Sequence, residues 1–374
     1  MNEPETLQLI RPNLVRRGGR KLAYFGGCDY FRLASHPKIL AAVRQGMRRF
    51  GLNVAASRMT TGNHAIYPKI EKQLAQYFGA EAALLTSNGY VTNLIVAQAL
   101  AGGFSHVLMD ARSHAALQDA AQLFNCPVLI FKHRDVGDFR AALNRCGRDA
   151  RPVLLTDGMF SHDGSVAPLA VYLKLLPVDA LVVLDDAHGA GTLGGKGRGT
   201  VEIERVSRLR VVQCVTLSKA FGVYGGAVIC SRAIRVKLLS SRMFIGSTPL
   251  PLPLANAVSC AIGVLRRGMR LRQKLNRNAE FVKDSLRAAG VELPDAPGPI
   301  VPVHVEEDRE VARLQRVLLA AGILPPFVNY LAGDNPGYFR FVISSEHKRT
   351  ELNKLVLVLK KFLGVKRAAE RLCL

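Results

Sequence analysis

The sequence predicts an α/β fold, a mostly parallel sheet with helices on both faces, joined to a smaller α+β domain. Three observations carry that reading. Short apolar runs rich in β-branched residues recur at 82–86, 106–109, 127–131, 152–156, 180–184 and 211–217. These runs are too short for helices, and helical stretches near 90–101, 114–123, 135–145 and 168–176 separate them, as βαβ units require. From 290 onward the rhythm changes to short strands at 299–304 and 338–344 and helices at 308–321 and 348–363.

Taken in order, residues 1–35 read as irregular and basic, with Leu22–Phe25 a short strand. Pro37–Phe50 has the pattern of an amphipathic helix with proline near its start. Residues 55–63 are small and polar, a loop, and Pro68–Phe78 is again helical, stopped by Gly79. The runs that follow are apolar throughout, as strands buried on both faces should be. A strand at 225–230 comes after a Gly-rich turn too short for a crossover, so it is expected to run antiparallel. Pro249, Pro251 and Pro253 then break the chain before one long helical stretch, about 254–289. The expected division is an N-terminal arm and segment, 1–50, packing on the small domain, a large ligand-binding domain, 51–275, and a C-terminal small domain, 276–374.

A chain of 374 residues is long for a single core, which agrees with that division. No apolar run is long enough to span a bilayer, and Met1-Asn-Glu-Pro-Glu5 lacks a charged-then-apolar leader pattern, so a cytoplasmic protein is expected. The cysteines, Cys28, Cys126, Cys146, Cys214, Cys230, Cys260 and Cys373, are odd in number and form no C-x-x-C pair. Reduced thiols follow, rather than a disulfide framework or a structural zinc. Fifty-one Lys and Arg against 29 Asp and Glu give a net charge of +22, which draws polyanions. No helix-turn-helix, zinc-finger or RNP signature accompanies it, so nucleic acid is not the expected partner. An acyl-CoA or an acidic acyl carrier protein would be drawn equally well.

The chemistry concentrates in two segments. Ala180-Leu-Val-Val-Leu-Asp-Asp-Ala-His-Gly189 is a buried strand that ends in Asp185, Asp186 and His188. Val215-Thr-Leu-Ser-Lys-Ala-Phe-Gly222 ends a second strand at Ser218 and Lys219. Open α/β sheets keep their ligands at the carboxyl ends of their strands, and a lysine there, beside carboxylates and a histidine, is placed to become an imine-forming amine. A pyridoxal 5'-phosphate (PLP) site needs these parts: a lysine for the aldehyde, a carboxylate for the ring nitrogen, a hydrogen-bonding group at the ring hydroxyl, and hydroxyls with backbone amides for the phosphate. Lys219, Asp185, His188 and Thr216 supply them.

Other strand exits add polar groups. Thr86-Ser-Asn-Gly-Tyr90, with Ser87, Asn88, Gly89 and Tyr90, precedes a helix whose dipole favours a phosphate; an ordinary strand–helix turn has the same composition. His114 is open to two readings, a ring that stacks on a flat ligand or a satisfied surface histidine. Thr156–Gly164 brings Asp157, Ser161, His162 and Asp163 to a third exit. Two rival readings share these residues. Gly189-Ala-Gly-Thr-Leu-Gly194 fits G-x-G-x-x-G, but Asp-Asp-Ala-His intervenes after the strand and no helix can start at Gly194, so a dinucleotide site is not expected. A divalent metal among Asp185, Asp186, His188, His162 and Asp163 leaves Lys219 unused, and no metal is expected.

With these residues in order, the chain resembles the α-oxoamine synthases, a PLP-dependent family. The likeness runs from about Leu22 to the C-terminal helix through Asp29-Tyr30, Ser57-Arg58, Gly62-Asn-His64, Ser87-Asn-Gly-Tyr90, Ser113-His114, Asp157-Gly-Met-Phe-Ser-His-Asp-Gly164, Asp185-Asp-Ala-His-Gly189, Thr216-Leu-Ser-Lys-Ala-Phe-Gly222, Ser247-Thr248 and Phe339-Arg340. The resemblance implies a fold type I PLP-dependent transferase and a homodimer with shared active sites. It implies that Lys219 binds the cofactor and moves the substrate α-proton, that Asp185 pairs with the ring nitrogen, that His188 and Ser161 approach the ring hydroxyl, and that His114 stacks on the ring. Ser87, Asn88, Gly89, Tyr90 and Thr216 would surround the phosphate, with Ser247 and Thr248 reaching it from the second subunit. Arg340 would grip the amino-acid carboxylate, as a bidentate guanidinium can, and Cys28 would lie near the substrate.

The implied reaction condenses a small amino acid with an acyl thioester, with decarboxylation, to an α-amino ketone. Gly, Ala and Ser all fit the acceptor, and CoA or a carrier protein the donor. Cys28 stands where the family has Asn, Tyr67 where it has His, and the Arg-rich arm before Leu22 is short. Those departures keep two alternatives open: the same fold with aminotransferase, racemase or aldolase-like chemistry, or a basic binding protein without turnover.

Overall fold

The computed structural model describes residues 5–305, 307–329 and 337–372, with side chains through 364. Cys373 lies outside them. The chain divides into two compact units: one gathers residues through Ser35, His162–Ser165 and those from Arg270 onward, and the other holds His36–Ser161 and Val166–Met269.

Thirteen strands occur among the described residues. In chain order they are β1 (Gln8–Arg11), β2 (Leu14–Arg17), β3 (Arg20–Ala23), β4 (Ala82–Thr86), β5 (His106–Asp110), β6 (Val128–Phe131), β7 (Pro152–Asp157), β8 (Leu181–Asp185), β9 (Val211–Thr216), β10 (Gly226–Cys230), β11 (Ile300–Val303), β12 (Phe327–Val328) and β13 (Tyr338–Val342). The larger unit is built on a seven-stranded sheet of order β4-β10-β9-β8-β7-β5-β6. Strands β6, β5, β7, β8 and β9 run parallel, and β10 is antiparallel to both its neighbours, β9 and β4. The short turn before β10 leaves no room for a crossover, which accounts for its reversed direction.

Alternation along the parallel strands fills two cores. Val107, Met109, Val153, Leu155, Val183 and Val212 face one side and pack with Ile95, Val96, Leu117 and Phe124 from helices. Leu108, Leu154, Val182, Leu184 and Val211 face the other and pack with Phe139, Leu169 and Tyr172. Side chains of period two with helices on both faces are what a doubly covered sheet requires. The helix Pro37–Phe50 belongs to this unit, where Asn256 Nδ2 donates to the Ala42 carbonyl at 2.7 Å.

The smaller unit carries two antiparallel sheets, β1-β2-β3 and β11-β13-β12. Phe25, Val282, Leu286, Val301, Leu314, Phe339, Phe341, Leu352 and Leu355 form its core with the helices Met269–Arg287, Asp308–Ala320 and Arg349–Leu372.

Several expectations need correction. Residues 8–23 form a three-stranded meander rather than irregular chain. The long helical stretch is two helices, Leu252–Arg266 and Met269–Arg287, parted at Arg267–Gly268. There the Gly268 N–H turns back to the Leu265 carbonyl, and a Cβ at Gly268 would lie 3.0 Å from that oxygen. Arg232–Leu239 and Arg242–Gly246 are helices that no periodic signal announced; Ser231 caps the first by accepting from Ile234 N at 3.3 Å. The helix expected from Pro68 begins at Ile66, and the last helix extends beyond 363 to Leu372.

Candidate active site

The parallel strands β7, β8 and β9 end side by side, and each ending delivers a polar residue to one place. Asp157 closes β7, Asp185 closes β8, and Thr216 closes β9 with Lys219 three residues later. A cavity of about 310 Å³ opens there, within the larger unit, and is also lined by His188, Asn88, Gly89, Tyr90 and His114. That volume is within the range of small-ligand sites.

Asp185 is buried, and two N–H groups complement its carboxylate. Asn93 Nδ2 donates to Oδ2 at 2.7 Å and the Ala187 amide donates to Oδ1 at 3.0 Å. Lys219 Nζ stands 2.7 Å from Nε2 of the buried His188, a hydrogen-bond distance. An acid and an amine from neighbouring strands thus line one cavity, with an imidazole against the amine.

The other end of the cavity is shaped for a phosphate. The helix Gly89–Leu100 starts there, capped by Asn88, whose Oδ1 accepts from Val91 N at 3.0 Å. The amides of Gly89 and Tyr90, at the start of the first turn, have no intrahelical acceptor. Gly89 lies against Thr216: a Cβ built on it would sit 2.8 Å from Thr216 Cβ and 2.9 Å from Oγ1. Thr216 Oγ1 is 2.8 Å from Ser218 Oγ, so a pair of hydroxyls faces the same cradle. Glycine is therefore required for the close approach, and the amides, hydroxyls, lysine and carboxylate present fit a phosphorylated pyridine aldehyde.

His114 caps the helix Ala115–Leu123. Its Nδ1 accepts from Ala116 N at 3.1 Å, so the ring is held as the Nε2–H form, edge-on to Tyr90 at 6.3 Å between centroids. Tyr90 in turn donates its phenol proton to Asp119 of that helix. The two helix starts are tied together across the cavity mouth.

Not every residue singled out in the sequence lines this cavity. Ser161 is buried in the larger unit but is not part of the wall. Ser87, Ser247 and Thr248 line a separate small pocket with Arg58, Tyr67 and Leu250. Arg58 is held there by Glu71 at 2.6 Å and lies over the Tyr67 ring, whose hydroxyl donates to the Leu250 carbonyl at 2.7 Å. Cys28 and Arg340 belong to the smaller unit. Burial pushes the Tyr30 phenol of that unit well above its ordinary pKa; the thiol of Cys28, hydrogen-bonded to it, adds to the rise, and the charge of Arg340 opposes it.

The rival motifs resolve structurally. The Gly189–Gly194 segment runs as turns, with positive φ at Gly191 and Gly194, and starts no helix. Among the described residues no group of three His, Cys, Asp or Glu is arranged as a metal-ligand set. Asp186, beside Asp185, turns away to accept from Thr200 N at 2.9 Å, Thr200 Oγ1 at 2.8 Å and Gln213 Nε2 at 2.6 Å.

Two residues of the site were not assigned roles from sequence. Asn93, the partner of Asp185, is a fully buried amide in an otherwise apolar helix, and that mismatch is the signal that could have found it. Asp157 was noted only as one polar group at a strand exit. It pairs in register with Asp185, and its Oδ2 accepts from the His114 amide at 2.8 Å.

Residues 26–359 match the family of aminotransferases of class I and II. The chain belongs to that family. Relatives place it among the α-oxoamine synthases. It is 33% identical over 342 residues to 8-amino-7-oxononanoate synthase of Thioalkalivibrio sulfidiphilus, covering 90% of this chain and 87% of that one. It is 35% identical to the enzyme of the same name from Trichlorobacter lovleyi, over 82% of this chain and 79% of that one. Among solved structures, serine palmitoyltransferase from S. paucimobilis with a bound PLP adduct superposes with a TM-score of 0.89 at 25% identity, covering 96% of this chain and 92% of the other. This α-oxoamine synthase family member therefore has the fold type I architecture expected of it.

Proposed function

We propose that the protein is a PLP-dependent C-acyltransferase: it joins a small amino acid to an acyl thioester, with loss of CO2 and release of the thiol, and gives an α-amino ketone. The observation that carries this reading is the convergence of Lys219, Asp185 and His188 on one cavity beside a glycine-cradled helix start. The product named for the relatives, an 8-amino-7-oxo acid, has the amine-beside-ketone pattern such a condensation leaves.

When bound, PLP supplies the electron sink at the substrate α-carbon. The protein supplies the rest. Lys219 Nζ holds the cofactor, and once displaced by substrate it is the amine placed to move the α-proton, with His188 Nε2 at 2.7 Å as the group it can exchange that proton with. The Asp185 carboxylate, fixed by Asn93 and Ala187, keeps the ring nitrogen protonated. The amides of Gly89 and Tyr90 and the hydroxyl of Thr216 take the phosphate, and the His114 ring covers the cavity. Arg340 takes the substrate carboxylate, with Cys28 nearby.

The protein acts as a homodimer in this reading. Ser87, Ser247 and Thr248 line a pocket apart from the cavity of their own chain, which supports a contribution to a second copy's site. A cytoplasmic setting accords with the free thiols of Cys28, Cys126, Cys146, Cys214, Cys230 and Cys260. The small domain is drawn from both chain ends.

The test is a product balance. Protein loaded with PLP is incubated with glycine, alanine or serine and an acyl-CoA, and free thiol, CO2 and amino ketone are measured. Equimolar formation of the three with one of these amino acids is expected. Keto acid or racemised amino acid without thiol release would replace this reading with transaminase or racemase chemistry.

A further inference from the structure

Asp157 is a buried carboxyl that faces the cavity and that the chemistry above does not use. Neighbouring strands lie about 4.8 Å apart, and Asp157 and Asp185 are register partners on β7 and β8, so their side chains leave the sheet on the same face. Two carboxyl groups so placed cannot both be anions without mutual repulsion in a site shielded from water. The hydrogen bonds distinguish them. Asp185 receives two N–H donors, Asn93 Nδ2 and Ala187 N, whereas Asp157 receives one, the main-chain N–H of His114.

We propose that Asp157 is a positioning residue that works as the uncharged member of this acid pair, anchoring the start of the His114 helix while Asp185 alone carries the negative charge presented to the cofactor ring. The groups acting on Asp157 agree in balance. Burial pushes its acid strength down, with the charge of Asp185 on β8 adding to this and Asp110 on β5 adding a little more; the His114 amide and the Lys219 ammonium pull the other way but do not prevail. A protonated Asp157 keeps one oxygen for the His114 amide and gains an O–H directed within the site. The charge that must face the ring nitrogen then stays localised on Asp185, where Asn93 holds it. The arrangement also explains why a buried asparagine sits in an apolar helix: it orients the charged member of the pair and leaves the uncharged one alone.

The inference rests on the PLP reading for its function but not for its test, because two of the measurements address the carboxyl itself. Asp157→Asn keeps a neutral acceptor for the His114 amide, so it should fold, bind PLP within about twofold of wild type, and leave the pH dependence of cofactor absorbance unchanged. Asp185→Asn should weaken PLP binding by about a hundredfold or more, through loss of a charge-assisted bond. Asp157→Ala, which frees the buried amide, should weaken it about tenfold. Independently of cofactor, the wild-type protein at neutral pH should show the infrared carbonyl stretch of a protonated carboxylic acid that Asp157→Asn lacks. Absence of that band in wild type, or an Asp157→Asn protein as damaged in PLP binding as Asp185→Asn, overturns the proposal. If wild type shows the band but binds no PLP, the cofactor reading fails while the acid pair stands.

Discussion

Replacing Gly89 by alanine tests the cofactor cradle with a single methyl group. That methyl would lie 2.8 Å from Thr216 Cβ and 2.9 Å from its Oγ1, where carbon atoms in ordinary contact stand about 3.5–4.0 Å apart. Something must therefore move by roughly 0.7–1 Å to restore normal contact. Thr216 cannot easily yield. It is buried, pairs with Gly226 across the antiparallel β9–β10 ladder, and holds Ser218 through its hydroxyl. The helix start must yield instead, carrying the Gly89 and Tyr90 amides away from the position a phosphate would take. Overpacking of this kind costs about 1–3 kcal/mol, which corresponds to PLP bound roughly 5- to 150-fold more weakly if the strain is relieved when the cradle is empty. The assay is a titration of PLP-free protein followed by cofactor absorbance, with urea unfolding of the PLP-free forms as the control for general damage. Unchanged unfolding with weakened PLP binding is expected. Wild-type affinity in Gly89→Ala would refute the placement of the phosphate between the helix start and Thr216.

Lys219→Ala should remove the visible absorbance of lysine-bound cofactor while PLP is still retained through the Asp185 and phosphate ends, shown by gel filtration with cofactor release afterward; an unchanged band would mean another amine holds the aldehyde. Burial, helped by the charge of Arg32 and opposed by the Tyr24 carbonyl, pulls the His347 imidazole down to about 3, so the folded protein keeps it neutral, with Nδ1 accepting from Ser344 N at 2.9 Å and Nε2 donating to the Tyr24 carbonyl at 3.1 Å. For a base whose folded pKa lies below its unfolded value of about 6.5, the stability is present above that pH and lost as pH falls. At pH 5 the loss is about 2 kcal/mol, and urea midpoints at pH 5 and about pH 7.5 should show a flatter dependence in His347→Asn than in wild type.

The sequence was most legible where burial is complete. The runs at 82–86, 152–156 and 211–217 are strands with every residue buried, and an unbroken apolar segment of that length has one stable use in an α/β protein. Their carboxyl ends were legible for the same reason: a charged residue that ends a buried strand has only the sheet edge to occupy. The amino end was harder. The strands β1, β2 and β3 bury only Val15 and Leu22, while Arg11, Arg16, Arg17, Arg20 and Lys21 occupy the other positions, so the alternation has almost no hydrophobic contrast. The available signal was the Gly18-Gly19 turn between Arg17 and Arg20, with φ of 50° and 78°, a two-residue hairpin connection. The break at Arg267–Gly268 was hidden because both flanking helices carry helical periodicity, and no proline marks their junction. Asn93 was hidden because its significance depends on a partner 92 positions away.

The Asp185-Asp-Ala-His segment shows why four consecutive residues at a strand end can do two kinds of work. Successive side chains on a strand point to opposite faces. Asp185, the last residue of β8, faces the cavity, and Asp186 therefore faces inward. There it gathers the Thr200 amide and hydroxyl and the Gln213 amide, and it packs so closely against Gly158, Gly189 and Gly199 that a Cβ on any of them would come within about 2.4 Å of its oxygens. Burial lifts its carboxyl to about 6, with the charge of Asp185 contributing, even though three donors oppose the rise. An acid is kept in so unfavourable a place because its acceptors fix both ends of the 186–200 segment, and that segment begins with His188. The imidazole 2.7 Å from Lys219 is thus positioned by the neighbour of the carboxylate that faces the cavity. One short sequence places the charge at the ring, the base partner at the amine, and the brace that holds the two in register.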